Sequence, residues 1–234
     1  MDCWLVPQGY EYRAVCRGIH PHYSQISPYI LAVPAGPSAL SAFLVQSSEL
    51  LQSVECCLLL GLGGALQPEL RLGQSVLCAT YRDRKGTVWS CDHNLVDRVN
   101  GGFESPLPLV EGFSSEQVVC SSAGKKALGQ AGWQVVDMEG AVFLDWANRR
   151  GISAAVVRVI SDTWNQDLPD LTGVFDAGGR LNFRTLARRL IVRPKAAWDL
   201  IYSSQVGLAA LEKIATCLAG QGLLPQEQST VSKD

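Results

Sequence analysis

The sequence predicts a three-layer α/β fold, in which helices flank a central sheet that is mixed but mostly parallel. Short apolar segments that fit buried strands alternate with longer segments of helical periodicity, an order typical of βαβ units. Several apolar segments end in glycine or in acidic residues, as strand-to-helix joints of such sheets often do. No low-complexity linker or internal repeat interrupts the 234 residues, so we expect one domain over residues 1–234.

The N-terminal part predicts two strand–helix units and a third strand. Residues 3–7 (CWLVP) fit a strand, and residues 10–18 fit a helix. Residues 29–34 (YILAVP) fit a second strand, and Pro37 then occupies the first position of a helix, where proline is favoured. Residues 56–66 (CCLLLGLGGAL) predict a buried strand that runs into a glycine turn.

The remaining chain continues the alternation. Residues 75–83 (SVLCATYRD) and 86–91 (GTVWSC) predict a hairpin at a half-exposed edge. Three short apolar strands follow, each expected to lead into a helix: QVVCSS (117–122), QVVDM (134–138) and AAVVRVISD (154–162). The pattern is helical from residue 182 onward, and the polar residues 220–234 predict a frayed tail.

The composition excludes several classes of protein. Hydrophobic residues make up 47% and charged residues 18% of the chain, ordinary values for a globular protein with a substantial core. A formal net charge of -2 gives no electrostatic reason to expect nucleic acid or an anionic membrane as a partner. The apolar segments are too short to span a bilayer, and the N-terminus lacks the pattern of a signal peptide. We therefore expect a cytoplasmic protein.

The potential metal ligands do not form a convincing site. The eight cysteines form no C-x-x-C motif, and we expect them to be buried free thiols. His20 and His22 are separated by Pro21, and no third ligand lies nearby in the sequence. We predict neither a metal nor a cofactor.

Acidic residues stand at the ends of two predicted strands. Asp137 and Glu139 follow one strand, and Asp162 ends another. Ligands of open α/β sheets bind beyond the carboxyl ends of the strands, so these acids converge if the two strands are parallel neighbours. A structural interpretation is also open, because aspartate caps helices well and glutamate is favoured in the first helical turn.

The two acidic segments carry a family resemblance. VVDMEGA, followed later by VVRVISD, is similar to the signature of the purine nucleoside phosphorylase and nucleosidase superfamily, which includes methylthioadenosine/S-adenosylhomocysteine nucleosidases. CLLLGLGGALQPELRLGQSVL and VPAGPSALSA resemble earlier segments of that family, so the similarity covers residues 3–165. The segment DAGGRLNFRTLARRLIVRPKAAWDLI is similar to the hopanoid-associated phosphorylases. The resemblance implies a phosphorylase/hydrolase-like fold and a homo-oligomer, most simply a dimer.

The resemblance also implies cleavage of the N-glycosidic bond of a purine nucleoside. Asp162 matches the family's acid that protonates or hydrogen-bonds N7 of the leaving base. Glu139 matches the carboxylate that holds the ribose hydroxyls, and Met138 matches the residue that packs against the sugar. Ser161 either contacts the base or caps the turn, and we expect Arg158 to be the structural partner of a buried carboxylate.

Glu11 is the candidate for activating water. It can be placed on the glutamate that serves this purpose in the family's nucleosidases, whereas an ungapped placement puts Tyr12 there. The alternative is a solvent-facing glutamate on a helix. The family's phosphorylases carry an arginine just before the glycine turn, but this chain has Leu58–Leu60.

The predicted reaction is therefore hydrolysis of a 5′-modified adenosine-type nucleoside. Leu62 stands where the nucleosidases often have serine, but Gly61, Gly63 and Gly64 still offer backbone N–H groups. Phosphorolysis, with phosphate as a second small-molecule partner, is the first alternative. A protein that binds nucleosides without turnover is the second.

Two further expectations concern lysines and aromatic residues. Lys125 and Lys126 most simply form a solvated helix face, so the aromatic side chain that stacks on the base would come from Tyr10, Trp164 or a neighbouring subunit. The chain carries more aromatic side chains than one compact core needs, which favours the homo-oligomer; those considered are Trp4, Trp146 and Trp198.

Overall fold

The computed structural model describes residues 2–20, 30–174, 176, 178–179, 182–192 and 194–223. Within these residues, eight strands form one sheet and seven helices flank it. The strands are β1 (Asp2–Pro7), β2 (Ile30–Val33), β3 (Cys56–Ala65), β4 (Ser75–Arg82), β5 (Val88–Ser90), β6 (Leu109–Ser114), β7 (Val135–Asp137) and β8 (Ser153–Asp162). The helices are α1 (Tyr10–Ile19), α2 (Pro37–Gln46), α3 (His93–Gly101), α4 (Ser122–Gln130), α5 (Gly140–Arg150), α6 (Phe183–Val192) and α7 (Pro194–Gly220). The predicted α/β class is confirmed.

The long strand β3 organises the sheet. It pairs in parallel with β1 and β8, and antiparallel with β7 near its C-terminal end. β7 pairs with β6, β6 with β4, and β4 with β8, so β3, β7, β6, β4 and β8 close into a ring. β2 extends the sheet from β1, and β5 extends it from β4. The sheet is mixed, with parallel pairs in the majority, as predicted.

The core lies on both faces of β3 and β8, whose apolar runs are almost completely buried. A strand covered on both faces needs a continuous apolar sequence rather than an alternating one, and this is what CCLLL and AAVV provide. Trp4 on β1 also belongs to the core, with its indole N–H donating to the Leu223 carbonyl at 3.0 Å. Trp4 therefore supplies no surface for an oligomer contact.

Several local predictions are confirmed. Pro37 begins α2 directly after Gly36, whose φ of 91° is a conformation that glycine adopts without strain. β4 and β5 pair as the expected antiparallel hairpin. All eight cysteines are free, but only half of them are buried, and Cys217 is exposed.

Three predicted elements are wrong. QVVCSS does not form a strand; Val118 and Val119 line a cavity instead. The strand that pairs with β4 and β7 is β6, which was not predicted from the sequence. No helix directly follows β8 in the described residues. The predicted glycine turn is also absent, because Gly61–Gly64 continue β3 beside β8.

Some predictions fall outside the described residues. These are the position of His22, the first residue of the second predicted strand, and residues 224–234 of the predicted tail. Among the helices that the structure describes, none has the length and apolar character needed to cross a bilayer.

Candidate active site

A cavity opens where β3, β7 and β8 meet the start of α1. Most of the predicted site residues line it, namely Glu11, Gly63, Gly64, Met138, Glu139, Ser161 and Asp162. Gly61 does not line the cavity but lies beneath Glu11. The structure thus brings together residues from distant parts of the chain.

The acidic ends of β7 and β8 lie close together, although the two strands do not pair with each other. β7 and β8 are not parallel neighbours, because β3 lies between them. Gly64 on β3 is in register with Val136 on one side and with Asp162 on the other. Both acidic ends therefore reach the same part of β3.

Asp137 has a structural role. It accepts hydrogen bonds from Ser114 Oγ at 2.7 Å, from Arg158 Nε at 2.8 Å and from the Gly140 backbone N–H at 3.1 Å. The last bond satisfies one of the free N–H groups at the start of α5, as a capping residue does. The structure supports the expectation that Arg158 is the partner of a buried carboxylate, and identifies that carboxylate as Asp137.

Glu139 makes no capping bond, although it occupies the N-cap position of α5. Its Oε1 instead accepts from the Gly36 N–H at 2.7 Å, and its Oε2 lies 3.6 Å from Arg158 Nη2. Burial raises the pKa of Glu139 above its ordinary value, while Arg158 opposes that shift. Each carboxylate oxygen of Glu139 makes one of these contacts, so lone pairs remain to accept hydrogen bonds from a ligand in the cavity that Glu139 lines. Nothing in the sequence indicated a role for Gly36 beyond its position before Pro37.

Glu11 reaches the cavity from α1. Its Oε1 accepts from the Leu62 backbone N–H at 2.6 Å. The pKa of Glu11 is raised from 4.5 to about 7, mainly because the side chain is buried; the Leu62 hydrogen bond opposes this rise, and nearby Glu139 contributes to it. A carboxyl group with a pKa near neutrality can exchange protons at physiological pH.

Gly61 allows Glu11 and Arg158 to approach β3. A Cβ at this position would collide with Arg158 Nη1 and lie 2.9 Å from Glu11 Oε1. Arg158 is fully buried, and its Nη1 has no hydrogen-bond partner among the described residues.

Asp162 is held by a residue that sequence analysis missed. Its Oδ2 forms an ion pair with Lys125 Nζ, and its Oδ1 accepts from Ser161 Oγ at 2.7 Å. Lys125 is fully buried, so its assignment to a solvated helix face is wrong, whereas its neighbour Lys126 is exposed. The helical register decides which of two adjacent lysines points inward, and that register follows from the cap at Ser121.

The side chains that line the cavity include no aromatic one among the described residues. Tyr10 is mostly exposed, and the Trp164 ring lies 4.9 Å from Lys126 Nζ. Val118 and Val119 supply part of the apolar wall instead. Within the described ranges, no three His, Cys, Asp or Glu side chains group as metal ligands.

The sequence itself identifies the family. Residues 37–190, about two thirds of the chain, match the sequence model of the phosphorylase superfamily. The chain belongs to the phosphorylase superfamily. As a member of the phosphorylase superfamily it is an enzyme, and the matched segment contains Glu139, Ser161 and Asp162.

Solved structures share the fold of this phosphorylase superfamily member. The futalosine hydrolase of Helicobacter pylori is 13% identical with a TM-score of 0.67, over 94% of this chain and 97% of that one. The 5′-methylthioadenosine/S-adenosylhomocysteine nucleosidase of the same organism is 14% identical, with the same TM-score of 0.67 and the same coverage, 94% and 97%. The nucleosidase of Colwellia psychrerythraea, solved with adenine, is 11% identical with a TM-score of 0.67, over 94% and 95%. No curated protein sequence matches significantly.

Proposed function

We propose that the enzyme hydrolyses the N-glycosidic bond of a purine nucleoside, with a 5′-modified adenosine as the substrate type. The charge of the cavity is the observation that carries this proposal. Four carboxylic residues line the cavity, and no lysine or arginine does so among the described residues. The four are Glu11, Asp137, Glu139 and Asp162.

This charge distribution disfavours phosphate as the nucleophile. Phosphorolysis needs a phosphate anion beside the anomeric carbon, usually bound by arginines. The nearest arginine, Arg158, is bound by Asp137 and Glu139, so little of its charge remains for another anion. The carboxylates that line the cavity would repel a phosphate anion, but they would not repel a neutral water molecule.

Glu11 is suited to activate that water. With a pKa near 7 it can take a proton from water as the oxygen attacks the anomeric carbon. The C–N bond breaks at the same time, and its electron pair leaves with the base. The carboxylate of Glu139 binds the ribose hydroxyls, and its charge stabilises the oxocarbenium-like transition state.

The remaining cavity residues bind the two ends of the nucleoside. Asp162 contacts the N7 side of the base, with Ser161 beside it. Met138 packs against the sugar, and Gly63 and Gly64 provide backbone without side chains. The fold relatives include a nucleosidase of a 5′-modified adenosine and a futalosine hydrolase, which supports a nucleoside substrate. We also propose that the enzyme works in the cytoplasm as a homodimer, without a cofactor.

The test is base release from a panel of purine nucleosides, including 5′-modified adenosines, with and without inorganic phosphate. We expect release that phosphate does not accelerate, with free ribose or its 5′-modified form as the sugar product. Strict dependence on phosphate, with a sugar 1-phosphate as product, would establish phosphorolysis instead. Tight binding without any release would show a nucleoside-binding protein.

A further inference from the structure

The formal net charge of -2 conceals an uneven distribution of charge along the chain. Residues 180–198 contribute +6 to this total, so the remaining residues together carry a net charge of -8. The segment contains no aspartate or glutamate, and its cations are Arg180, Arg184, Arg188, Arg189, Arg193 and Lys195. Most of this segment forms α6, followed by the first residues of α7. The charge of the whole chain is therefore no guide to what α6 attracts.

The outward side of α6 combines arginines with apolar side chains. The exposed residues of this helix are Arg184, Ala187, Arg188, Ile191 and Val192, which we call the α6 face. Spacings of three and four residues place them on one side of the helix. The water-facing side of a helix is normally polar, yet Ile191 is 79% and Val192 is 73% exposed. The α6 face therefore offers positive charge and apolar surface together.

The two arginines of the α6 face are available to an external anion. Arg189 donates to Asp170 Oδ2 at 2.6 Å, whereas Arg184 and Arg188 have no ion-pair partner among the described residues. A groove along the helix is lined by Arg184, Thr185, Arg188, Arg189 and Val192. The planar guanidinium group binds phosphate oxygens through paired N–H donors. A phosphate group can thus bind between the side chains of Arg184 and Arg188.

The apolar residues of the α6 face indicate which anionic partner fits. Nucleic acids bind through their phosphates and by stacking of bases on aromatic rings, and the aliphatic Ile191 and Val192 serve neither contact. A second copy of the chain in a two-fold contact on this face would bring like-charged arginines together. A bilayer of anionic lipids offers phosphates at its surface and an apolar layer directly beneath them.

We propose that the α6 face binds the surface of a lipid bilayer that contains anionic phospholipids. The helix lies on the membrane and does not cross it. Ile191 and Val192 insert between the lipid headgroups, while the long side chains of Arg184 and Arg188 reach the lipid phosphates. This binding is independent of the proposed hydrolysis, because no residue of the α6 face lines the cavity between β3, β7 and β8.

The experiment measures co-sedimentation of the full chain with phosphatidylcholine vesicles, with and without phosphatidylglycerol. We expect the wild type to bind only vesicles that contain phosphatidylglycerol, and to bind them less as added salt screens the charges. Each cation near an anionic surface is worth roughly fivefold in binding, so the double variant Arg184→Gln/Arg188→Gln should bind roughly 25-fold more weakly. Arg149→Gln/Arg150→Gln is the matched control, because it removes the same charge from exposed arginines of α5 and should bind like the wild type.

A second double variant, Ile191→Ser/Val192→Ser, tests the apolar part of the α6 face and leaves its charge unchanged. We expect it to lose most of its binding to the vesicles. Binding equal to that of the wild type, with loss only in the arginine variant, would show a surface for anions alone, such as a nucleic acid or an acidic protein, and would refute the proposal. Circular dichroism checks that both variants, which change only exposed residues, keep the fold.

The wild type can refute the proposal by itself. Binding to neither kind of vesicle, or equal binding to both, would overturn it. Displacement of the wild type from the vesicles by inorganic phosphate, at a concentration equal to that of the lipid phosphate, would also overturn it and identify free phosphate as the ligand. Vesicle binding is measured without a nucleoside, so its outcome does not depend on whether the enzyme hydrolyses one.

Discussion

Glu11 gives the enzyme a pH dependence near neutrality. Because its pKa is about 7, the carboxylate that takes the proton from water becomes populated as the pH rises through that value. We expect kcat/KM for base release to rise from acidic pH and to level off above about pH 8. Glu11→Gln should abolish this rise and lower the rate roughly 10²–10⁴-fold, whereas Glu49→Gln, at an exposed glutamate, should change neither. A flat wild-type profile would exclude Glu11 as the base.

The same residue makes a stability prediction. Between about pH 4.5 and pH 7 the folded protein keeps a proton on Glu11 that the unfolded chain has released, so the free energy of unfolding falls as the pH rises. Above that window the ionised carboxylate destabilises the fold. Glu11→Gln should therefore raise the free energy of unfolding at pH 8 and change it little at pH 4.5, as measured by urea unfolding at both values. An equal effect at both values would contradict the raised pKa.

Asp162 and Glu139 should respond differently to loss of charge. Asp162→Asn keeps the shape of the side chain but cannot deliver a proton to N7 of the leaving base, so kcat should fall roughly 10²–10⁴-fold while nucleoside binding largely survives. Glu139→Gln should damage both binding and rate, because the ribose hydroxyls and the oxocarbenium ion lose a charged partner. Steady-state kinetics on one nucleoside separates the two patterns. Intact base release in both variants would leave these acids a purely structural role.

The location of a site residue could be predicted from the sequence where the residue belongs to a recognisable motif. Glu139 and Asp162 lie next to strand ends, and both line the predicted cavity. Lys125 was not predictable, because nothing in the pair Lys125–Lys126 indicates which side chain faces inward. Only the start of α4 relative to the sheet decides that, and helix boundaries are the least certain part of a sequence pattern.

At the scale of elements, the glycines of β3 led to the wrong prediction of a turn. Three glycines within four residues usually indicate a turn. Here they stay in a strand, because they pair with β8 and side chains of the neighbouring strands lie against them. A Cβ at Gly63 would lie 3.0 Å from Val135, and one at Gly64 would lie 2.8 Å from Asp162 Oδ2. Such contacts involve residues far away in the chain, so a local pattern contains no trace of them.

Gly61→Ala tests this account of β3. The added methyl group would collide with Arg158 Nη1 and crowd Glu11, so we expect a loss of about 1–3 kcal/mol in the free energy of unfolding and a large loss of base release. Gly101→Ala is the matched control, because no atom beyond its own helix and chain neighbours lies within 4 Å of its Cβ position in α3. That change should be neutral or slightly stabilising, as alanine is a better helix former. Equal unfolding midpoints for both variants would show that β3 tolerates side chains at Gly61.

At the scale of the whole molecule, the closed ring of strands could not be predicted. Most strands of the ring were recognisable by their apolar residues, β6 excepted, but their partners in the ring lie far away in sequence. β8 pairs with both β3 and β4, and β7 joins β3 to β6. The site is built by this closure, because Glu11, Glu139 and Asp162 meet only when α1, β7 and β8 are assembled around β3. The family resemblance supplied what the local patterns lacked.

The surface suggests where a second copy of the chain would bind. Of the three tryptophans first considered, Trp4 is buried and Trp146 is partly buried, but Trp198 is 73% exposed at the start of α7. Ile191 on α6 is 79% exposed, and Tyr202 on α7 is also exposed. Trp198 and Tyr202 stand one helical turn apart on α7, and exposed apolar side chains that lie together often mark a contact surface.

We therefore predict a dimer with an isologous interface that includes Trp198, because a two-fold axis buries the same surface on both copies. Sedimentation velocity of the wild type at micromolar concentration should show the dimer. Trp198→Glu should shift it towards monomer, since each interface would then bury two new charges. Val88→Glu, an exposed apolar position on the edge strand β5, is the control and should leave the dimer intact. A monomeric wild type would refute the dimer, and a dimeric Trp198→Glu would locate the interface on another face of the molecule.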